Sequence, residues 1–177
     1  EQFLPFISII EKFSIQKELF IKDDYRTKND TNPHDFFSPL NEKTTFRANQ
    51  RFRELTRGKN KENKIITTKG RDFIIENFYS GVVRLKFKDL CDKNLGAEDY
   101  LNIANTCKHI LIEEIPKFDN ENSNQQLRFI TLIDILYDKK IKLTLTLEEN
   151  LKHLSSSIKH CEVFKRTISR LFEMTKI

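Results

Sequence analysis

Three observations predict a mixed α/β fold. Apolar residues recur at three- and four-residue steps in several segments, as amphipathic helices require. Elsewhere they gather in short runs rich in Val, Ile and Phe that stop at Gly, Pro or polar clusters, as strands do. The passage from His109 to Leu147 reads strand, helix, strand, with the length of a crossover between parallel strands.

Phe3, Phe6, Ile7, Ile10 and Phe13 predict a helix over residues 3–16, with Pro5 tolerated in its first turn. Residues 18–21 read as a short strand leading into Asp23-Asp24-Tyr25-Arg26. Residues 27–40 carry loop chemistry. A helix follows over 41–57, with Thr45, Ala48, Phe52 and Leu55 on one stripe. Residues 58–64 read as a solvated linker. Three strands then come over 64–68, 73–78 and 82–87, with turns near Gly70 and Gly81. Tyr100, Ile103, Ala104 and Cys107 mark a helix, and His109–Ile115 a strand stopped by Pro116. Gln125–Tyr137 is apolar nearly all round and predicts a buried helix, with Arg128, Thr131, Asp134 and Asp138 as its polar stripe. Ile141–Leu147 reads as a strand, Glu148–Leu154 as a short helix, and Glu162–Met174 as a last helix with Phe164, Ile168 and Leu171 inward.

Among the 177 residues, 38% are hydrophobic and 32% charged, which suits a soluble, polar globular protein with a modest core. No apolar run approaches the ~20 residues that span a bilayer. Cys91, Cys107 and Cys161 stand far apart, and so do His34, His109, His153 and His160. That spacing argues against a disulfide framework and against a metal site, and points to a reducing compartment. The chain starts at Glu1 directly before an apolar helix, which reads as a fragment of a longer protein.

The net charge of +5 is unevenly placed. Residues 41–71 hold ten Lys/Arg against three Glu, and the rest of the chain is slightly acidic. Arg47, Arg51, Lys59 and Lys61 are therefore candidates for gripping the phosphates of nucleic acid or an anionic membrane face. Plain solvation of a helix face and a loop is the favoured reading, because aromatic residues do not interleave the basic run as a base-stacking platform would.

Several strings, in order, resemble the Afg-one-like (ZapE) family of AAA+-type P-loop ATPases. They are FLPFI at 3–7, DDYR at 23–26, GR at 70–71, LC at 90–91 and LGAEDYLNIA at 95–104. IEEIP at 112–116, LRFITLIDILYDKKIKL at 127–143 and FKRTISRLFEM at 164–174 follow. Leu127 stands where the family usually has the first of two arginines. The resemblance spans residues 3–174 and implies the end of a P-loop ATPase core over 1–40 and a C-terminal α/β domain over 41–177.

The resemblance implies a parent that hydrolyses ATP with Mg2+, forms a homo-oligomer and couples turnover to handling protein partners. For bacterial relatives that means cell division in the cytoplasm, the preferred location; for eukaryotic ones it means mitochondrial quality control. The chain contains no GxxxxGK[ST] loop and no apolar strand ending in Asp-Glu, so ATP and Mg2+ would be bound mainly by the missing N-terminal half, and this chain alone should be inactive. IEEIP is the nearest approach to such a strand and reads as structural. The implied role for this chain is nucleotide sensing by an arginine. Arg128 is the first candidate, against an ion pair with Asp134 or another acid. Arg166 and Arg170 come next, against a network with Glu173 that ties the last helix down. In each case the structural alternative is favoured. A non-enzymatic binding module using the basic segment is the rival reading.

Overall fold

The computed structural model describes residues 4–15 and 33–177. The run at 18–21, the Asp23–Arg26 string and the start of the loop at 27–40 lie outside the described residues. Helix α1 spans Leu4–Phe13. Among its described side chains Phe6, Ile9, Ile10 and Phe13 are exposed.

From residue 33 onward the chain builds one six-stranded sheet. The elements are β1 (Phe36–Phe37), α2 (Glu42–Thr56), β2 (Glu62–Thr68), β3 (Arg71–Tyr79), β4 (Val82–Lys86), α3 (Phe87–Cys91) and α4 (Ala97–Thr106). Then come β5 (His109–Ile115), α5 (Ser123–Asp138), β6 (Lys142–Leu147) and α6 (Cys161–Met174). The strand order is β1-β6-β5-β4-β3-β2. β1, β6, β5 and β4 run parallel, β3 pairs antiparallel with β4, and β2 pairs antiparallel with β3. The fold is mixed α/β, as the alternation of periods predicts.

Each local choice has a physical cause. Lys69-Gly70 joins β2 to β3 and Ser80-Gly81 joins β3 to β4, and all four residues have positive φ. That is the two-residue turn whose twist matches flanking strands. At Gly81 an added Cβ would meet Lys108 Cγ at 3.2 Å, so that turn also needs the space. Asn41 caps α2: its side chain accepts from the Thr44 amide at 3.0 Å, and the Asn41 amide donates to the Thr44 hydroxyl oxygen. Because Thr44 closes the cap, the buried stripe is Thr44, Ala48 and Phe52. Thr45, placed on that stripe by periodicity, is exposed.

The helices cover the sheet unequally. Ile75, Val83, Leu85, Ile110 and Ile112 join α3, α4, α5 and α6 in the main core. On the opposite face Phe52 of α2 packs on Val82 and Leu111. Central parallel strands clothed on both faces are apolar in continuous runs, as β5 is. Phe129, Leu132, Ile133 and Leu136 of α5 are wholly buried. The buried Gln126 amide is satisfied by Ser156 and Ser157. The helix is less enclosed than predicted, since Leu127 is 47% exposed.

Other differences follow from length. β1 has two residues and α3 five, too few for a period to show. Phe87, predicted to end a strand, begins α3 instead. The expected helix at 148–154 shrinks to a 3₁₀ turn at Leu151–His153, capped by Asn150, with a second turn at Ile158–His160. β1 pairs with β6, and the Asp35 amide donates to Thr175 O at 2.7 Å. The boundary drawn at residue 40 thus falls between two elements that pack on the same sheet.

Candidate functional site

In a parallel α/β sheet, ligands gather beyond the carboxyl ends of the strands. Here α3 follows β4 and α5 follows β5, so their near ends meet in that region. Arg128, in the second turn of α5, donates from Nη1 to the carbonyl of Cys91 at 2.9 Å. The Tyr100 hydroxyl donates to Leu90 O at 2.9 Å. Both bonds satisfy carbonyls at the C-terminus of α3, where the helix dipole favours a cation. Beside them, the Arg71 guanidinium bonds Asn94 O at 3.0 Å and Asp99 at 3.0 Å. Asp99 in turn accepts from the Gly96 amide at 2.8 Å, at the start of α4. Burial holds the Cys91 thiol and the Tyr100 phenol well above their ordinary pKa values, so both are neutral.

The expected ion pair between Arg128 and Asp134 is not made. Asp134 is occupied by two arginines of α6: Arg166 Nη2 lies 2.9 Å from Asp134 Oδ2, and Arg170 Nη1 bonds Asp134 Oδ1. Arg170 also stacks over the Tyr137 ring at 4.7 Å, and the Tyr137 hydroxyl donates to Glu173 at 2.9 Å. Arg166, Arg170 and Glu173 thus form a network tying α6 to α5. Arg128 is half-buried and, among the described residues, has no carboxylate partner. Of the three arginines it alone has no such partner, whereas Arg166 and Arg170 each share their charge with Asp134.

The basic segment is partly engaged. Arg51 donates through Nε to both oxygens of Asp35, at 2.7 and 2.9 Å, and reaches Glu54. Arg47 lies over the Phe37 ring at 4.9 Å. Lys59 and Lys61 lie in the connection from α2 to β2, and Lys61 is exposed.

IEEIP sits at the end of β5. Glu113 is paired with Arg84, with Nε at 2.7 Å from Oε2, and Glu114 with Lys86 at 2.7 Å. The register of β5 against β6 shifts between Ile112 and Ile115, and Glu114 has φ +60°. Its amide donates to the Thr146 hydroxyl at 2.9 Å. This is a β-bulge that turns two acids toward β4, which suits a structural role.

A buried polar network escaped the sequence reading because its members come from four separate segments. Thr144 of β6 donates to Asp35 at 3.2 Å, and its oxygen lies 2.8 Å from His109 Nε2. Arg51 completes the chain. Burial lowers the His109 pKa to about 4; Asp35 opposes this, while Arg51, Lys142 and Lys59 add to it. The unfolded chain therefore takes up a proton near pH 6.5 that the folded chain refuses down to about 4. Stability contributed by neutral His109 is full above pH 6.5 and falls between there and pH 4. The loss should reach at most about 3 kcal/mol. Urea titrations from pH 7 to 4 should show this slope, and His109→Gln should flatten it; an unchanged slope would remove His109 as its source.

A model of the AFG1-like ATPase family matches residues 1–177. The chain belongs to that family. Lactation elevated protein 1 homolog B of Danio rerio is 27% identical over 164 residues, covering 86% of this chain and 31% of that protein. Cell division protein ZapE of Escherichia coli K12 is 24% identical over 173 residues, covering 98% of this chain and 46% of ZapE. The chain therefore spans less than half the length of these relatives. No solved structure matches it. Within this family member, four of the strings that carry the resemblance meet around α3: Arg71, Leu90-Cys91, Asp99-Tyr100 and Arg128.

Proposed function

We propose that this chain is the C-terminal portion of an AAA+-type ATPase that couples ATP hydrolysis to the handling of protein partners. The family match over all 177 residues carries the reading. A role in cell division is the form favoured by the similarity to ZapE, and a cytoplasmic homo-oligomer is the form of the parent we propose with it. No helix among the described residues is long and apolar enough to cross a membrane.

The residues present do not by themselves fit ATP and Mg2+. The connection from β1 to α2, Ser38-Pro39-Leu40-Asn41, is a strand-to-helix turn without glycine, so it offers no close backbone approach to a phosphate. Among the described residues no group of three His, Cys, Asp or Glu could hold a metal. Nucleotide and metal belong to the other part of the parent. This chain contributes Arg128, whose unused donors lie beyond the strand ends, as a contact for an anionic group. Arg166 and Arg170 stand second, because Asp134 already neutralises part of their charge.

The test is turnover by the full-length parent. Mg2+-dependent hydrolysis should occur there and be absent from the 177-residue chain. Arg128→Ala in the parent should lower turnover on the order of 10²-fold, the effect of removing one preorganised donor. The lost bond to Cys91 O should cost only about 1 kcal/mol in stability. Arg128→Lys should recover little, because an ammonium lacks the planar fork. Near-normal turnover by a folded Arg128→Ala parent would move the role to Arg166 or Arg170.

A further inference from the structure

Helix α6 and the two 3₁₀ turns before it bound a groove of about 780 Å³. Leu154, Phe164, Ile168 and Phe172 line it with apolar surface. Ser156 contributes only a small side chain, and Ile168 stays half-buried. Lys152, Lys165 and Arg166 stand along the same walls. Residues 150–166 hold four Lys/Arg against a single Glu. Lys165 is drawn to that Glu162 at 2.8 Å and Arg166 to Asp134, but Lys152 and Lys159 make no ion pair among the described residues. Past the groove, Ile158 and Val163 add exposed apolar surface, at 79% and 46%.

We infer that this groove docks a short acidic segment of a protein partner, seating a Leu or Phe side chain on Leu154, Phe164 and Ile168. Burial of that side chain would supply affinity, and carboxylates meeting Lys152 and Lys165 on the groove walls would supply orientation and association rate. A basic segment would be repelled by the same lysines. A concave site suits a peptide better than a bilayer, because its apolar side chains line a recess that a flat lipid surface does not enter. The inference rests on the reading that the parent handles protein partners.

Cys161 supplies a reporter. It lines the groove and is exposed, whereas Cys91 and Cys107 are buried. Burial also holds the Cys91 and Cys107 thiols in their neutral, unreactive form, Cys107 at about 11. The probe is a fluorescein-labelled peptide of Asp and Glu carrying two Phe four positions apart, added to the 177-residue chain without nucleotide. Saturating peptide should slow alkylation of Cys161 by iodoacetamide at least about tenfold, and anisotropy should report binding that weakens with salt. Lys152→Glu with Lys165→Glu, both on the groove walls and exposed, should weaken binding about tenfold with unchanged circular dichroism. The same peptide with Lys in place of its acids, or Ala in place of Phe, should not protect Cys161.

Protection by the basic peptide, unchanged affinity of the charge-reversed protein, or no binding at millimolar peptide would each overturn the inference. So would protection of Cys161 by anionic vesicles or by self-association of the chain in place of the peptide. Failure of peptide binding alongside ATP turnover by the parent would sink only the groove. Peptide binding without turnover would sink only the ATPase reading.

Discussion

Ile133→Ala should lower the stability of the chain by about 2–5 kcal/mol, the range for truncating a fully buried aliphatic side chain. Ile133 is wholly buried in α5, within the main core shared by the sheet, α4 and α6. Removing it takes away transfer free energy and leaves a void that close-packed neighbours fill only in part. Lys61→Ala is the comparison, because Lys61 is exposed on the connection between α2 and β2, where substitutions move stability by roughly 0.5 kcal/mol or less. The urea midpoint should drop sharply for Ile133→Ala and hardly move for Lys61→Ala. Equal midpoints would show that α5 is not the centre of the core.

Asp35→Ala should cost about 2–3 kcal/mol, although it removes only a short side chain. Asp35 is 4% exposed and accepts from Arg51 and from the Thr144 hydroxyl. Its own carbonyl accepts from the Leu145 amide at 2.9 Å, so it ties β6 and α2 to the start of β1. Without the carboxylate, Thr144 loses its acceptor in a fully buried position, and Arg51 keeps only Glu54 at 3.4 Å. Part of the cost is screened because Arg51 remains 26% exposed. Asp35→Asn keeps an acceptor and should cost less. In a double-mutant cycle, Asp35→Ala combined with Arg51→Ala should lose clearly less than the sum of the two. Strict additivity would mean that the pair contributes nothing to stability.

Much of the fold was legible in residues alone. The hairpin turns at Gly70 and Gly81, the strands that flank them and the α5 stripe were marked by local chemistry, which acts over a few residues. The strand–helix–strand unit from 109 to 147 was marked by length and by change of period. What escaped depends on contacts distant in sequence. β1 is two phenylalanines whose strand character comes entirely from pairing with β6, over a hundred residues away. The Asp35–Thr144–His109–Arg51 network joins four segments, and no spacing within any of them announces it.

The candidate site divides in the same way. Helical spacing placed Arg166 and Arg170 on one face, and the family strings singled out Arg128. The sequence could not say which arginine meets Asp134, because Arg128 and Asp134 share α5 while Arg166 and Arg170 approach from α6. Local spacing determined the elements, their turns and the family. Only the tertiary structure decided the partners: it gave Asp134 to α6, left Arg128 on a backbone carbonyl, and opened a cation-rimmed groove beside Ile168. The physical reason is range. Propensity, capping and periodicity act within a few residues, whereas ion pairs and grooves form between chain segments that only the folded sheet brings together.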